Sequence, residues 1–313
     1  MTESLYEVEE STITERTALS KHSALVNTRG KPVDEDRLIA ALQRNPSGSK
    51  VESLCVSQTS LVRTLAVAAP LRNLRFIRIS SRQLRDYQAL QALPGLIELD
   101  VAVQRRLVSL PDLTHSNIAQ LGIGPTLQGE TEMIGRMRSL RVMVLMYVWP
   151  ESTLQALNAL NLTVLEIKTS TISEIGELDC SKLAFFACRG CARLVSVHGV
   201  DAEKVDIDTC RKLNLNTLSG KRINVLGLRG QKRIDDMEFL KNCPNLKELE
   251  VAATRLSSDC VPQIAAVKQL TRAELYGFAL DKKDLQRLSS LAKNTVVTDG
   301  LNTFRGGLEV AGK

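Results

Sequence analysis

The stretches NLTVLEIKTS (161–170) and NLKELEVAAT (245–254) share one pattern. An apolar residue is followed by two variable residues, a second apolar residue, one variable residue and a third apolar residue. Leu162, Leu165 and Ile167 fill these places in the first stretch, and Leu246, Leu249 and Val251 in the second. Working outward, the same triple occurs at Val51/Leu54/Val56, Leu74/Ile77/Ile79, Leu96/Leu99/Val101, Ile118/Leu121/Ile123 and Leu140/Met143/Leu145. It returns at Leu183/Phe186/Cys188, Ala202/Val205/Ile207, Ile223/Leu226/Leu228 and Leu270/Ala273/Leu275. The spacing averages about 22 residues, which is the scale of a short strand plus one return segment. A single apolar triple is common by chance; a register held across most of a chain is not.

The physical reading of one unit is direct. Around the second and third apolar positions the chain alternates with period two, so it forms a short strand with those two side chains inward and the intervening ones outward. A return segment then closes the layer. Apolar residues three or four apart predict helical returns over Leu61–Leu71, Tyr87–Leu93, Met133–Met137, Leu154–Leu160, Met237–Leu240, Val261–Val267 and Leu285–Leu291. The returns after Leu183 and Ala202 are short and are expected to run extended or as 3₁₀ turns. One unit cannot bury its own apolar face, and stacking its neighbours does so.

In these segments the chain resembles the leucine-rich-repeat family, in an irregular, bacterial-type form, over roughly residues 50–295. The resemblance implies an α/β solenoid. It would be a horseshoe with about eleven short parallel strands on the concave face and helical or 3₁₀ returns on the convex face. The family places Asn at the ninth position of each repeat, where its side chain bonds to neighbouring backbone. Here that position holds Thr59, Arg82, Gln104, Thr126, Val148, Ser170, Cys191, Cys210, Gln231, Thr254 and Phe278. Ser, Thr and Cys make such bonds more weakly, so an imperfect ladder is expected.

Composition agrees with a repeated layer. Hydrophobic residues are 43% of the chain and aromatics only 4%, so the core is aliphatic. The ends need caps. Four segments are expected: a loose N-terminal stretch over 1–20, a helical cap over 21–50, the solenoid over 51–295, and a C-terminal cap and tail over 296–313. The helix of the first cap is VDEDRLIAALQRN (33–45), with Asp34 or a neighbour as its N-cap.

The seven cysteines are scattered and odd in number, which argues against a secreted disulfide framework and for a reducing cytoplasm. No apolar run approaches a membrane span, and the first residues carry no signal-peptide pattern. Cys188-Arg189-Gly190-Cys191 has the CxxC spacing of a metal or redox site. The repeat register accounts for Cys188, Cys191 and also Cys210 without a metal. His22, His115 and His198 stand outside any catalytic motif, so no enzyme, metal or cofactor is expected. The net charge of +6 is mild. The densest basic run, Arg72, Arg75, Arg78, Arg82 and Arg85, reads as a solvated face. The alternative is electrostatic binding of an acidic ligand such as nucleic acid through Arg72–Arg85, which ranks below protein binding.

Outward strand positions do not support the core, so their chemistry reports on function. In the middle repeats Val142, Val144, Met146, Tyr147 and Val164 with Phe185 are expected to form an exposed apolar patch, with Trp149 just beyond it. Glu166, Lys168, Arg189, Lys204, Asp206, Asp208 and Arg229 would surround it with mixed charge. An apolar centre inside a charged rim is the anatomy of a protein interface. Because LRVMVLMYVW (140–149) is apolar almost throughout, a slip of one residue there would exchange the two faces. The resulting expectation is a non-enzymatic, cytoplasmic module, monomeric in isolation. It would bind a protein partner on its concave face, as an immunity-type inhibitor, scaffold or effector.

Overall fold

The computed structural model describes residues 23–26, 34–36, 39–40, 50–56, 60–101, 109–125, 128–149, 152–176, 178, 181–277 and 279–310. The chain divides into two compact units, the first ending at Leu160 and the second beginning at Asn161.

The first unit is built on six parallel strands: β1 (Ser23–Val26), β2 (Ser53–Val56), β3 (Phe76–Ile79), β4 (Glu98–Asp100), β5 (Gln120–Ile123) and β6 (Val142–Met146). Each pairs with the next, and equivalent repeat positions are partners: Leu54 with Ile77, Ile77 with Leu99, Leu99 with Leu121, and Leu121 with Met143. The strand cycle therefore repeats in space as it does in sequence. The returns are the 3₁₀ turns Leu65–Ala68 and Gln88–Ala92, then the helices α1 (Gln128–Ile134) and α2 (Ser152–Leu157).

The second unit continues the cycle with β7 (Val164–Lys168), β9 (Phe185–Arg189), β11 (Lys204–Asp208), β12 (Val225–Arg229), β13 (Glu248–Ala252), β14 (Arg272–Tyr276) and β15 (Val296–Thr298), all parallel. Of the two short returns, the one after Leu183 runs extended and the one after Ala202 contains a 3₁₀ turn. β8 (Glu174–Ile175) and β10 (Ser196–Val197) pair as a two-residue parallel ladder, and Leu215–Thr217 is a 3₁₀ turn. Later returns are the 3₁₀ turn Glu238–Asn242 and the helices α3 (Cys260–Ala265) and α4 (Lys282–Leu291). Asp281 starts α4 by accepting a hydrogen bond from the Asp284 N–H at 2.8 Å, the usual N-cap geometry.

The two inward positions of all eleven triples are buried, and so are all eleven first positions. These side chains are covered by the layers on either side, so each repeat depends on the neighbours stacked against it.

Both ends add strands outside the eleven-fold cycle. β1 pairs in parallel with β2, so the segment 21–50 contains a strand as well as the helical residues Glu35, Asp36, Ile39 and Ala40. The Glu35 carboxylate accepts hydrogen bonds from the N–H groups of Arg63 (2.6 Å) and Thr64 (3.2 Å), tying this segment to the next return. The other expected helical positions of 33–45 lie outside the described residues. At the far end, β16 (Thr303–Arg305) and β17 (Leu308–Val310) fold back antiparallel on β15, with Phe304 buried under the hairpin.

Candidate interaction face

The repeat leaves each strand by the same backbone device. The eighth residue of seven successive repeats has a left-handed φ: Tyr147 (65°), Thr169 (48°), Gly190 (65°), Thr209 (55°), Gly230 (57°), Ala253 (50°) and Gly277 (70°). In the five repeats from Thr169 to Ala253 the ninth residue follows this turn on the inner side. There Cys191 Sγ reaches the carbonyls of Ile167 and Arg189 (both 3.7 Å), and Cys210 Sγ those of Cys188 (3.6 Å) and Asp208 (3.5 Å). Gln231 Nε2 donates to the Ile207 and Arg229 carbonyls at 3.0 and 2.7 Å, and Thr254 Oγ1 to that of Ala252 at 3.1 Å. Side chains other than Asn thus bridge each repeat to the preceding one or to their own strand end. Cys188, Cys191 and Cys210 are all fully buried; burial pushes the thiol of Cys188 upward, and the hydrogen bond with Cys191, then burial, pushes that of Cys210 upward. Among the described residues, no three His, Cys, Asp or Glu side chains converge as a metal site.

The alternation in 140–149 has the expected sense. Met143 and Leu145 are fully buried, while Val142, Val144 and Met146 are half-buried on the outward face. Val144 stands opposite Gly122 of β5, which offers no side chain to cover it. Tyr147 is half-exposed and Val148 is 55% exposed. Trp149 departs from its expected place as a contact residue at the edge of the patch, being only 7% exposed. In this repeat the ninth residue, Val148, points out, and Trp149 takes the inward place that Ser170, Cys191 and Cys210 hold elsewhere. Its indole N–H has no acceptor among the described residues. Elsewhere on this unit's outward face, the Arg75 guanidinium lies 5.8 Å from the Phe76 ring centroid and Arg78 Nε bonds to Asp100 at 3.2 Å.

On the second unit's outward face Val164 stands opposite Phe185, and Phe185 opposite Lys204, whose ammonium is 5.7 Å from the ring centroid. Glu166 and Lys168 form an ion pair along β7. Arg189, Asp206 and Arg229 come together on β9, β11 and β12. Asp206 Oδ2 is 2.9 Å from Arg189 and 3.5 Å from Arg229. Arg229 also makes a two-pronged bond to Glu250, at 2.9 and 2.7 Å, which raises the arginine's pKa. Asp208 accepts a bond from Thr209 Oγ1 at 2.6 Å.

Asp206 was expected on an exposed rim, yet its side chain is 3% exposed. Gly227 on the next strand explains this, because a Cβ there would lie 2.8 Å from Asp206 Oδ1. The missing side chain lets the carboxylate lie flat beneath its two arginines. Sequence reasoning left out Glu250, which completes the relay. Its outward place between Leu249 and Val251 was the available signal.

Within each unit, parallel strands one per cycle and a buried aliphatic spine define a fold of the leucine-rich-repeat type. No protein-family profile and no curated sequence matches the chain. Among solved structures it is similar to an internalin from Listeria monocytogenes, at 14% identity, covering 84% of this chain and 87% of that one, with a TM-score of 0.40. It is also similar to TLR13 in its complex with a single-stranded RNA, at 12% identity and TM-score 0.41, covering 87% of this chain but only 49% of TLR13. A leucine-rich-repeat protein from Leptospira interrogans aligns at 9% identity and TM-score 0.35, over 86% of this chain and 87% of its own. Among the described residues no helix is long and apolar enough to cross a membrane.

Proposed function

We propose that the chain acts by binding a protein partner on the outward face of its sheet, not by catalysis. The observation that carries this reading is the half-exposed apolar set Val142, Val144 and Met146 on β6, in a strand whose alternate residues are fully buried. Apolar surface held out by a rigid ladder is surface kept for contact. Tyr147 extends this set on the first unit. Val164 and Phe185 add apolar area on the second, with Glu166, Lys168, Arg189, Asp208 and Arg229 as charged contacts. Asp206 acts beneath the arginines by fixing their direction, and Trp149 supports the strand exit from inside.

The role as immunity-type inhibitor, scaffold or effector depends on the partner. The six described cysteines form no disulfide, which supports a reducing compartment and hence a cytoplasmic setting. The test is affinity capture from native cytosol with the wild-type chain and with Met146→Asp, followed by quantitative mass spectrometry. One protein retained in stoichiometric amount by wild type and lost from a folded Met146→Asp variant is expected. Equal retention by both would contradict the assignment.

A further inference from the structure

A second surface lies at the edge of the second unit, just past the strand exits. Positions ten and eleven of four successive repeats carry Arg193, Arg211 with Lys212, Lys232 with Arg233, and Arg255, all exposed. The backbone places these groups on neighbouring rungs. The Asn214 N–H donates to Val195 O at 2.8 Å, and the Ile234 N–H to Arg255 O at 2.8 Å. Arg211, Lys232 and Arg233 line a shared hollow of about 190 Å³, together with Asp235 and Asp236. With rungs roughly 4.8 Å apart, the six cations span about 14 Å. Among the described residues, Arg233 alone of these six pairs with an acid, Asp235 at 2.7 Å. The density is invisible in the linear sequence because the residues come singly or in pairs some twenty apart.

So many like charges on one edge repel each other and lower stability, and folding of the repeat does not need them, since the inward ladder already satisfies the turn. We propose that this ridge is a docking site for an acidic peptide segment of a protein partner, separate from the open sheet face and independent of the reading given above for it. The chemistry favours discrete carboxylates over a nucleic acid. No aromatic side chain stands in 192–194, 211–214, 231–234 or 254–257 to stack a base. Asp208, Asp235 and Asp236 interrupt the positive field beside the ridge, and a continuous phosphate backbone would meet them. A peptide can present its carboxylates to the exposed cations along the ridge, Arg193, Arg211, Lys212, Lys232 and Arg255, and pass the aspartates with neutral residues.

The probe is a fluorescein-labelled octapeptide alternating Glu and Ser, titrated with the full chain and followed by anisotropy. Saturable binding is expected, weakening steeply as salt rises beyond about 0.1 M. The triple variant Arg211→Glu/Lys232→Glu/Arg255→Glu should lose at least tenfold in affinity while keeping the wild-type circular dichroism spectrum. Reversing Arg72 and Arg75, or introducing Met146→Asp, should leave the peptide affinity unchanged. The proposal is overturned by absence of saturable binding, by equal affinity of the triple variant, or by a loss confined to Met146→Asp. It is also overturned if a single-stranded RNA of matched charge binds the ridge more tightly than the peptide does.

Discussion

At the residue scale, the strand exit decides what each side chain can do. A left-handed φ is open to glycine, while an L-residue there carries a cost of roughly 1–2 kcal/mol. Gly190, Gly230 and Gly277 meet the demand without strain, and Ala253 meets it against its preference. Glycine adds entropy to the unfolded chain, which offsets part of the gain. Ala253→Gly is therefore expected to stabilise the protein by about 0.5–1 kcal/mol in urea denaturation, and Gly277→Ala to lose a similar amount. A Cβ at Gly277 would approach Ala253 N no closer than 3.4 Å, so that loss would be conformational alone. Destabilisation by Ala253→Gly would show that the turn is held by something other than this geometry. The residues that sequence reasoning misplaced are those governed by such turns or by an absent side chain. Trp149 turns inward because Val148 turns out, and Asp206 sinks because Gly227 makes room. Neither depends on the apolar pattern, so neither was legible in it.

At the element scale, the strands of the repeat were legible and those added at its two ends were not. Every strand of the eleven-fold cycle lies where its triple places it, and the short returns lack α-helix because they have too few residues for one. β1 escaped notice because in the sequence the residue three before Ala24 is Lys21, so no apolar triple marks the strand. β15 likewise aligns Asn294 and Asp299 with the apolar positions of β14, Leu270 and Leu275. A terminal unit has a neighbour on one side only, so its sequence need not repeat the full triple. The C-terminal hairpin then relies on Phe304, 1% exposed, which pairs with Val297 across β15 and β16. Phe304→Ala should cost about 3–5 kcal/mol in the stability of this cap. In hydrogen exchange α4 and β15–β17 should lose protection first while β11–β13 keep theirs. Uniform loss along the second unit would mean that the cap does not open separately.

At the scale of the whole molecule, the same alternation recurs in each unit. One set of aliphatic side chains forms a buried spine, and the set between them is left to present chemistry. The basic edge of the second unit follows the same logic, because stacking turns residues some twenty apart in sequence into neighbours in space. The most direct measurement is a cysteine scan of β6, the strand in which sequence alone could not separate the two faces. Single substitutions Val142→Cys, Met143→Cys, Val144→Cys, Leu145→Cys and Met146→Cys would each be pulsed with a thiol reagent under native conditions and read by site-resolved mass spectrometry. Rapid labelling at 142, 144 and 146 with protection at 143 and 145 is the predicted result. The opposite alternation, or equal labelling at all five, would contradict the register on which both the fold and its proposed interaction face stand.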